Sequence, residues 1–134
     1  MTLIEELKKN NYSFIASNGY YSNDIGIKPV LDRVKEDIYY FEDLEVADKA
    51  IGKASAMLLV LSKVKKVDTI LISKAGKEVL DKYNIPYTFE KTCEYIINRT
   101  GDDMCPMEKT VKDIDDLDLA FEALKAKQKQ LAAK

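Results

Sequence analysis

The sequence predicts an α/β domain with a mixed sheet and helices on both of its faces. From about residue 44, apolar runs of strand length alternate with amphipathic runs of helix length, which is typical of parallel strands joined by helices. Before that point, two short strand patterns flank a turn at Gly19, and this spacing predicts an antiparallel hairpin. A chain of 134 residues suits one compact domain, 1–134.

The first third of the chain contains the predicted hairpin between two helices. Residues 2–10 have the spacing of a short amphipathic helix, and residues 12–18 and 20–25 have strand patterns. A second helix is predicted within residues 25–37, where Pro29 suits the first helical position. Tyr39, Tyr40 and Phe41 end this part of the chain and would form a protein contact if they were exposed.

The middle of the chain carries the predicted parallel sheet. In order, we expect a strand at 44–47, an apolar buried helix at 48–64, a strand at 67–73, an amphipathic helix at 74–84 and an extended segment at 86–90. In residues 91–103, the spacing of Cys93, Ile96 and Ile97 is helical and the end is loop-like.

The last third is predicted to be helical. One helix begins at Cys105, with Pro106 at its first position, and another begins near Asp115 or Asp116, either of which could cap it. Residues 125–134 are polar, and we expect this helical end to fray.

The composition excludes several classes of function. The 21 basic and 23 acidic residues give a net charge of -2, so no basic excess points to nucleic acid. The chain has no histidine, which excludes a Ser-His or Cys-His pair and a His-Cys-Cys zinc site. No apolar run reaches the roughly 18 residues of a membrane span. The N-terminus is too polar for a signal peptide, so we expect a cytoplasmic protein with Cys93 and Cys105 as free thiols.

Two predicted strand-to-helix junctions are candidate ligand sites, because ligands bind at the carboxyl ends of parallel strands. At the first, Asp48 precedes Lys49 and Lys53, which would share one helix face and neutralise an anion. The other interpretation is that Asp48 caps the helix and both lysines are solvated. At the second junction, Ser73 and Lys74 open a helix, and Ser73 is there either a cap or a ligand group.

A third candidate lies in the stretch "TGDDMCPMEKTV", residues 100–111. Cys105 and Glu108 have capping-box spacing, with sulfur in place of oxygen. A helix N-terminus lowers a thiol pKa, whereas neighbouring acids raise it, so Cys105 is either reactive or simply packed. Asn98 and Arg99 precede it and could contribute ligand contacts. We predict no metal and no cofactor here, because two thiols cannot complete a zinc site.

The motifs "VADKAIGKASAMLL", "YIINRTGDDMCPMEKTV" and "DIDD", in this order, resemble a family of small uncharacterised prokaryotic proteins known as a domain of unknown function. The resemblance implies a three-layer α/β/α domain of cytidine-deaminase-like fold, with a mixed sheet of about five strands. In zinc deaminases, metal ligands open two helices. The corresponding positions here are Ala47-Asp48-Lys49 and Ser73-Lys74-Ala75-Gly76, which cannot bind zinc in that way.

Three hypotheses follow, and the sequence leaves open whether the protein is an enzyme. In the first, a zinc-independent pocket binds a nucleotide-like or phosphorylated small molecule; Asp48 and Cys105 are the candidate catalytic groups, and the candidate ligand-binding residues are Lys49, Lys53, Ser73, Lys74, Asn98 and Arg99. In the second, Cys105 serves a thiol-dependent enzyme or redox sensor. In the third, the domain is regulatory and non-catalytic. We predict neither nucleic acid nor membrane as a partner, and a homodimer stays open.

Overall fold

A computed structural model describes residues 1–97 and 101–132 of the chain. Its helices are α1 (Leu3–Asn10), α2 (Lys28–Glu36), α3 (Lys53–Leu61), α4 (Lys74–Lys82), α5 (Pro106–Val111) and α6 (Leu117–Ala132). Its strands are β1 (Phe14–Ala16), β2 (Tyr21–Ser22), β3 (Glu45–Ile51), β4 (Lys66–Ser73), β5 (Tyr87–Thr88) and β6 (Lys91–Cys93).

The strands form one mixed sheet in the order β2-β1-β3-β4-β5, and β6 pairs with β4 beside β5. The β1–β2 hairpin is antiparallel, with Gly19 in its turn at φ 96°, and β1 is also antiparallel to β3. β4 is parallel to β3, β5 and β6. These pairings confirm the predicted combination of a hairpin with a parallel sheet.

Helices cover both faces of the sheet, because neighbouring residues of a strand point to opposite sides. On β1, Phe14 belongs to the main core, whereas Ile15 packs with Leu7 of α1 in a smaller cluster. The other five helices all contribute to the main core. The arrangement has the three layers that the resemblance implies. None of the helices within the described residues is long and apolar enough to cross a membrane.

The predicted helix at 48–64 is wrong in its first five residues. Strand β3 continues through Ile51, which pairs with Ile72 of β4, and α3 begins only at Lys53 after Gly52. Alanine and lysine favour a helix locally, but the parallel pairing with β4 overrides that preference. Asp48 and Lys49 therefore lie within a strand. Asp48 does not cap a helix, and Lys49 does not share a helix face with Lys53.

Three other predictions near the chain's later loops have clear outcomes. Residues Lys91–Cys93 form strand β6, so the helix indicated by the spacing from Cys93 does not form at Cys93. Asp116 caps α6 by accepting a hydrogen bond from the Leu119 amide at 2.9 Å. The last segment is helical through Ala132, as expected, and its fraying stays a prediction.

The aromatic run before β3 is largely internal. Phe41 is fully buried in the main core, where its ring meets that of Phe14 edge-on. Tyr40 is partly buried, and only Tyr39 is half exposed. The run is therefore mainly a structural element and not the exposed aromatic contact that a regulatory surface would need.

Helix α3 lies at the centre of the main core. The burial of its apolar side chains should therefore make the largest contribution to the free energy of unfolding. We expect Leu58→Ala, at a position only 1% exposed, to lower the free energy of unfolding by about 2–5 kcal/mol, because it leaves a cavity. Leu119→Ala is the matched control, at a position 63% exposed, and should change it by less than about 0.5 kcal/mol. Urea unfolding of both variants measures the difference. Equal effects would contradict the central position of α3.

Candidate functional site

A cleft of about 1270 Å³ opens beside the carboxyl end of β3. It is bounded by the start of α2, the last turns of α6, the start of α5, and Ile96 and Ile97. Several apolar side chains form its walls: Ile25, Ile27, Ile96, Ile97, Met107 and Leu131. Two of the sequence-predicted catalytic residues, Asp48 and Cys105, line this same cleft.

Asp48 is a buried carboxyl at the side of the cleft. It is 6% exposed, and its Oδ1 atom accepts a hydrogen bond from the Ala50 amide at 3.3 Å. Its backbone carbonyl accepts a hydrogen bond from the Thr69 hydroxyl at 2.8 Å, which joins β3 to β4. Burial raises the pKa of Asp48 to about 8, against the opposing effect of hydrogen bonds from the Ala50 and Lys49 amides. At neutral pH this side chain is therefore mainly a neutral acid that can donate a proton.

Lysines give the cleft a positive rim. Five line it, against three acidic residues, one of which is the largely neutral Asp48. The lysines are Lys28, Lys35, Lys49, Lys125 and Lys129. Asp32 balances part of this charge, since Lys28 lies 2.7 Å and Lys35 3.7 Å from its carboxylate oxygens. Lys49 lines the cleft while its Nζ donates to Asn11 Oδ1 at 2.9 Å.

Glu108 of α5 is fixed across the start of α3. Its carboxylate accepts hydrogen bonds from the Lys53 amide at 2.7 Å and from the Ala54 amide at 2.9 Å. These are two of the N–H groups that a helix N-terminus leaves unpaired. A Cβ on Gly52 would overlap the carboxylate, so any larger residue at the capping position would have to displace the Glu108 side chain. Burial raises the pKa of Glu108, and the two amides oppose that shift.

The predicted capping box at the start of α5 is wrong. Cys105 occupies the N-cap position and Pro106 follows it as expected, but within the described part of the chain the thiol makes no capping hydrogen bond. Glu108 turns to α3 and not back to Cys105, because α3 offers it two amides. Cys105 is partly exposed and lines the cleft, while its amide donates to the Ile96 carbonyl at 2.8 Å.

The remaining predicted ligand residues do not all join this cleft. Lys53 and Ser73 border a smaller cavity of about 340 Å³ that Glu108 separates from the larger one. Lys53 Nζ donates to the Lys112 carbonyl at 3.0 Å, and the Ser73 hydroxyl caps α4 by accepting from the Gly76 amide at 3.0 Å. Lys74 is exposed and borders neither of these cavities.

Two predicted residues cannot be placed. Asn98 and Arg99 lie outside the described residues. Their predicted ligand contacts stay a prediction.

Sequence reasoning missed Ser55, which is 2% exposed and lines the cleft. It lies in the first turn of α3. The role of Glu108 was missed as well, because its partners are more than fifty residues away along the chain. Gly52, which directly precedes α3, was the available signal for the helix start.

The chain's relatives can now be compared with this geometry. Residues 2–128 match the family described as TM1506, Domain of unknown function (DUF1893). The chain belongs to the DUF1893 family. Its fold is similar to the crystal structure of a DUF1893 family protein (TM1506) from Thermotoga maritima, with a TM-score of 0.84 at 28% identity, over 92% of this chain and 85% of that one. No curated protein matches the chain significantly.

The acidic side chains of this DUF1893 domain do not gather into a metal centre in residues 1–97 and 101–132. No group of three or more Cys, Asp or Glu residues in these ranges could hold a metal ion. Asp103, for example, is paired with Lys109 and accepts a hydrogen bond from the Met104 amide.

We expect Gly52→Ala to destabilise the protein by about 1–3 kcal/mol, because its methyl group displaces the Glu108 carboxylate from α3. Glu108→Ala should cost a similar amount. The double variant should cost at least about 1 kcal/mol less than the sum, because one contact has been removed twice. Denaturant unfolding of all three variants measures this coupling. Leu119→Ala combined with Gly52→Ala is the control and should be additive. Additivity in both pairs would contradict the Gly52–Glu108 contact.

The buried Asp48 carboxyl should make stability depend on pH. Its pKa of about 8 lies above the ordinary value of 3.8 for an aspartic acid, so between these two pH values the folded state holds a proton that the unfolded chain has released. The free energy of unfolding should therefore decrease as pH rises from about 4 to about 8, by several kcal/mol at most, and the Asp48 contribution should be constant above that. Asp48→Asn should remove this decrease. Urea unfolding from pH 4.5 to 8.5 tests it, and parallel profiles for the two proteins would contradict the pKa shift.

Proposed function

We propose that this DUF1893 domain binds a nucleotide-like, anionic small molecule in the cleft lined by Asp48 and Cys105. The observation that carries the proposal is the combination, in one cavity of about 1270 Å³, of apolar walls with five lysines. Ligand pockets typically have volumes of roughly 300–1,000 Å³ and are mainly apolar with a few polar groups. A cavity of this size accommodates a ring, a sugar and a phosphate together.

The charge of the cleft favours an anion over a cation. Lys129 is exposed at the rim on α6, and Lys125 lies one turn before it. Opposite them, Lys35 of α2 donates to Gln128 at 2.5 Å, so its ammonium is held at the edge of the cleft. A phosphate near these side chains would gain several charge-assisted hydrogen bonds, which are about twice as strong as neutral ones.

The nucleotide-like character is an inference from the fold. We infer that the mixed three-layer sheet is of the cytidine-deaminase-like type, with the zinc chemistry absent because the chain has no histidine. At the position where a deaminase-type helix would begin, α3 starts with Gly52, Lys53 and Ala54, and none of these is a zinc ligand. In the cleft, a protonated Asp48 is the group whose pKa suits proton transfer near neutral pH.

Ligand-induced stabilisation tests the proposal. The four ribonucleoside 5′-monophosphates and ribose 5-phosphate, each at millimolar concentration, would be added in a thermal-shift measurement at pH 7. A ligand present at 100 times its Kd stabilises the folded state by about 2.7 kcal/mol, which is several degrees in Tm for a domain of this size. We expect at least one of these compounds to produce such a shift.

A matched pair of lysine variants on α6 localises the binding. Lys129→Ala, at the cleft rim, should weaken binding of the anionic ligand several-fold. Lys127→Ala, two residues earlier and outside the cleft lining, should leave the binding affinity unchanged. Equal loss in both variants would indicate general charge attraction and not the cleft. No shift with any of the five compounds would reject the proposed ligand class.

A further inference from the structure

Two buried polar side chains from different elements line the cleft. Asp48 comes from β3 and is 6% exposed, and Ser55 comes from α3 and is 2% exposed. Both line the same cavity. They lie on either side of Gly52, the residue at which the chain turns from strand to helix.

Neither side chain has a side-chain hydrogen-bond partner among the described residues. None of these residues hydrogen-bonds the Ser55 hydroxyl, although helical serine and threonine can bond a carbonyl one turn back, as Thr110 does with Pro106 at 2.9 Å. The Asp48 carboxyl accepts hydrogen bonds from two backbone amides, that of Ala50 at 3.3 Å from Oδ1 and that of Lys49. Buried polar groups are normally hydrogen-bonded, and leaving one without a partner is costly. Their common direction into a cavity points to a ligand as the missing partner.

We propose that Asp48 and Ser55 form a hydrogen-bonding floor that recognises acceptor atoms on the heterocyclic ring of the bound molecule, while the lysine rim holds its anionic group. This inference rests on the proposed function and adds the orientation of the ligand. The ring lies innermost, between apolar walls that include Ile27 and Met107, and the phosphate lies outermost beside α2 and α6. The ligands that these two side chains would favour carry a ring nitrogen or carbonyl acceptor on the edge of the ring that faces Asp48 and Ser55.

The direction of the Asp48 hydrogen bond follows from its geometry. Oδ1 accepts from the Ala50 amide, so the proton of the neutral acid lies on Oδ2, which is then a donor. The raised pKa keeps that proton in place at neutral pH. An asparagine at this position would accept with Oδ1 and donate with Nδ2 in the same arrangement. An alanine would provide neither group.

A comparison of ligands with and without a ring tests this floor. Calorimetric Kd values would be measured at pH 7 for the four ribonucleoside 5′-monophosphates and for ribose 5-phosphate. We expect the best monophosphate to bind at least about 10-fold more tightly than ribose 5-phosphate. Asp48→Ala should remove most of that advantage, and Ser55→Ala should reduce it about 3- to 10-fold. Neither change should alter the Kd of ribose 5-phosphate by more than about 2-fold.

Asp48→Asn is the decisive variant. It keeps a donor in the same place, so its Kd for the best monophosphate should stay within about 3-fold of the unmodified protein. Urea unfolding confirms that each variant is folded before its Kd is used. If Asp48→Asn binds as poorly as Asp48→Ala, Asp48 is not a neutral donor and the inference fails. If monophosphates and ribose 5-phosphate bind equally, the proposed function survives and the floor is rejected. If none of them binds, both are rejected.

Discussion

The contact between the Glu108 carboxylate and the first amides of α3 fixes the start of α5 against the central helix. It joins α5, which carries Cys105 at its start, to the central helix and to the end of β3. Because the carboxylate fills the space above Gly52, it also separates the larger cleft from the smaller cavity. The position of the cleft wall therefore depends on one buried carboxyl group at a helix N-terminus, where it accepts hydrogen bonds from two amides that the helix leaves unpaired.

This contact also explains why α3 does not offer its N-terminus to a ligand. An open helix N-terminus binds phosphate readily, and the Gly52-Lys53 pair superficially suggests such a site. Here the protein supplies its own carboxylate, and Lys53 is directed to the Lys112 carbonyl and Asp115. In the proposed function, an anion is therefore bound by the lysine side chains at the cleft rim and not by the N-terminus of α3. In the proposed orientation, the negative charge of the ligand lies at this rim, and its neutral groups lie beside Asp48 and Ser55.

The sequence predicted the fold class well and the local boundaries of the site less well. The hairpin, the parallel pairing of the two central strands and the starts of α4, α5 and α6 follow from turn residues, apolar periodicity and caps, which are local signals. The extension of β3 through Ile51 was not predictable in the same way, because Ala50 and Lys49 gain their extended conformation from pairing with β4. Glu108 was correctly placed in the first turn of its helix. Its partners are distant in sequence, so local sequence patterns could not predict that it caps another helix.

The extension of β3 changes the chemistry of Asp48. At a helix start, its carboxylate would have been stabilised as an anion by amides and by neighbouring lysines, and its pKa would have been lowered. Within the strand it lies between apolar layers, 6% exposed, with its pKa raised to about 8. The same residue thereby changes from an ordinary ionised cap to a largely neutral acid beside the lysine rim of the cleft. The strand ends at Ile51, four residues later than predicted, and this difference decides the protonation state of the Asp48 carboxyl at neutral pH.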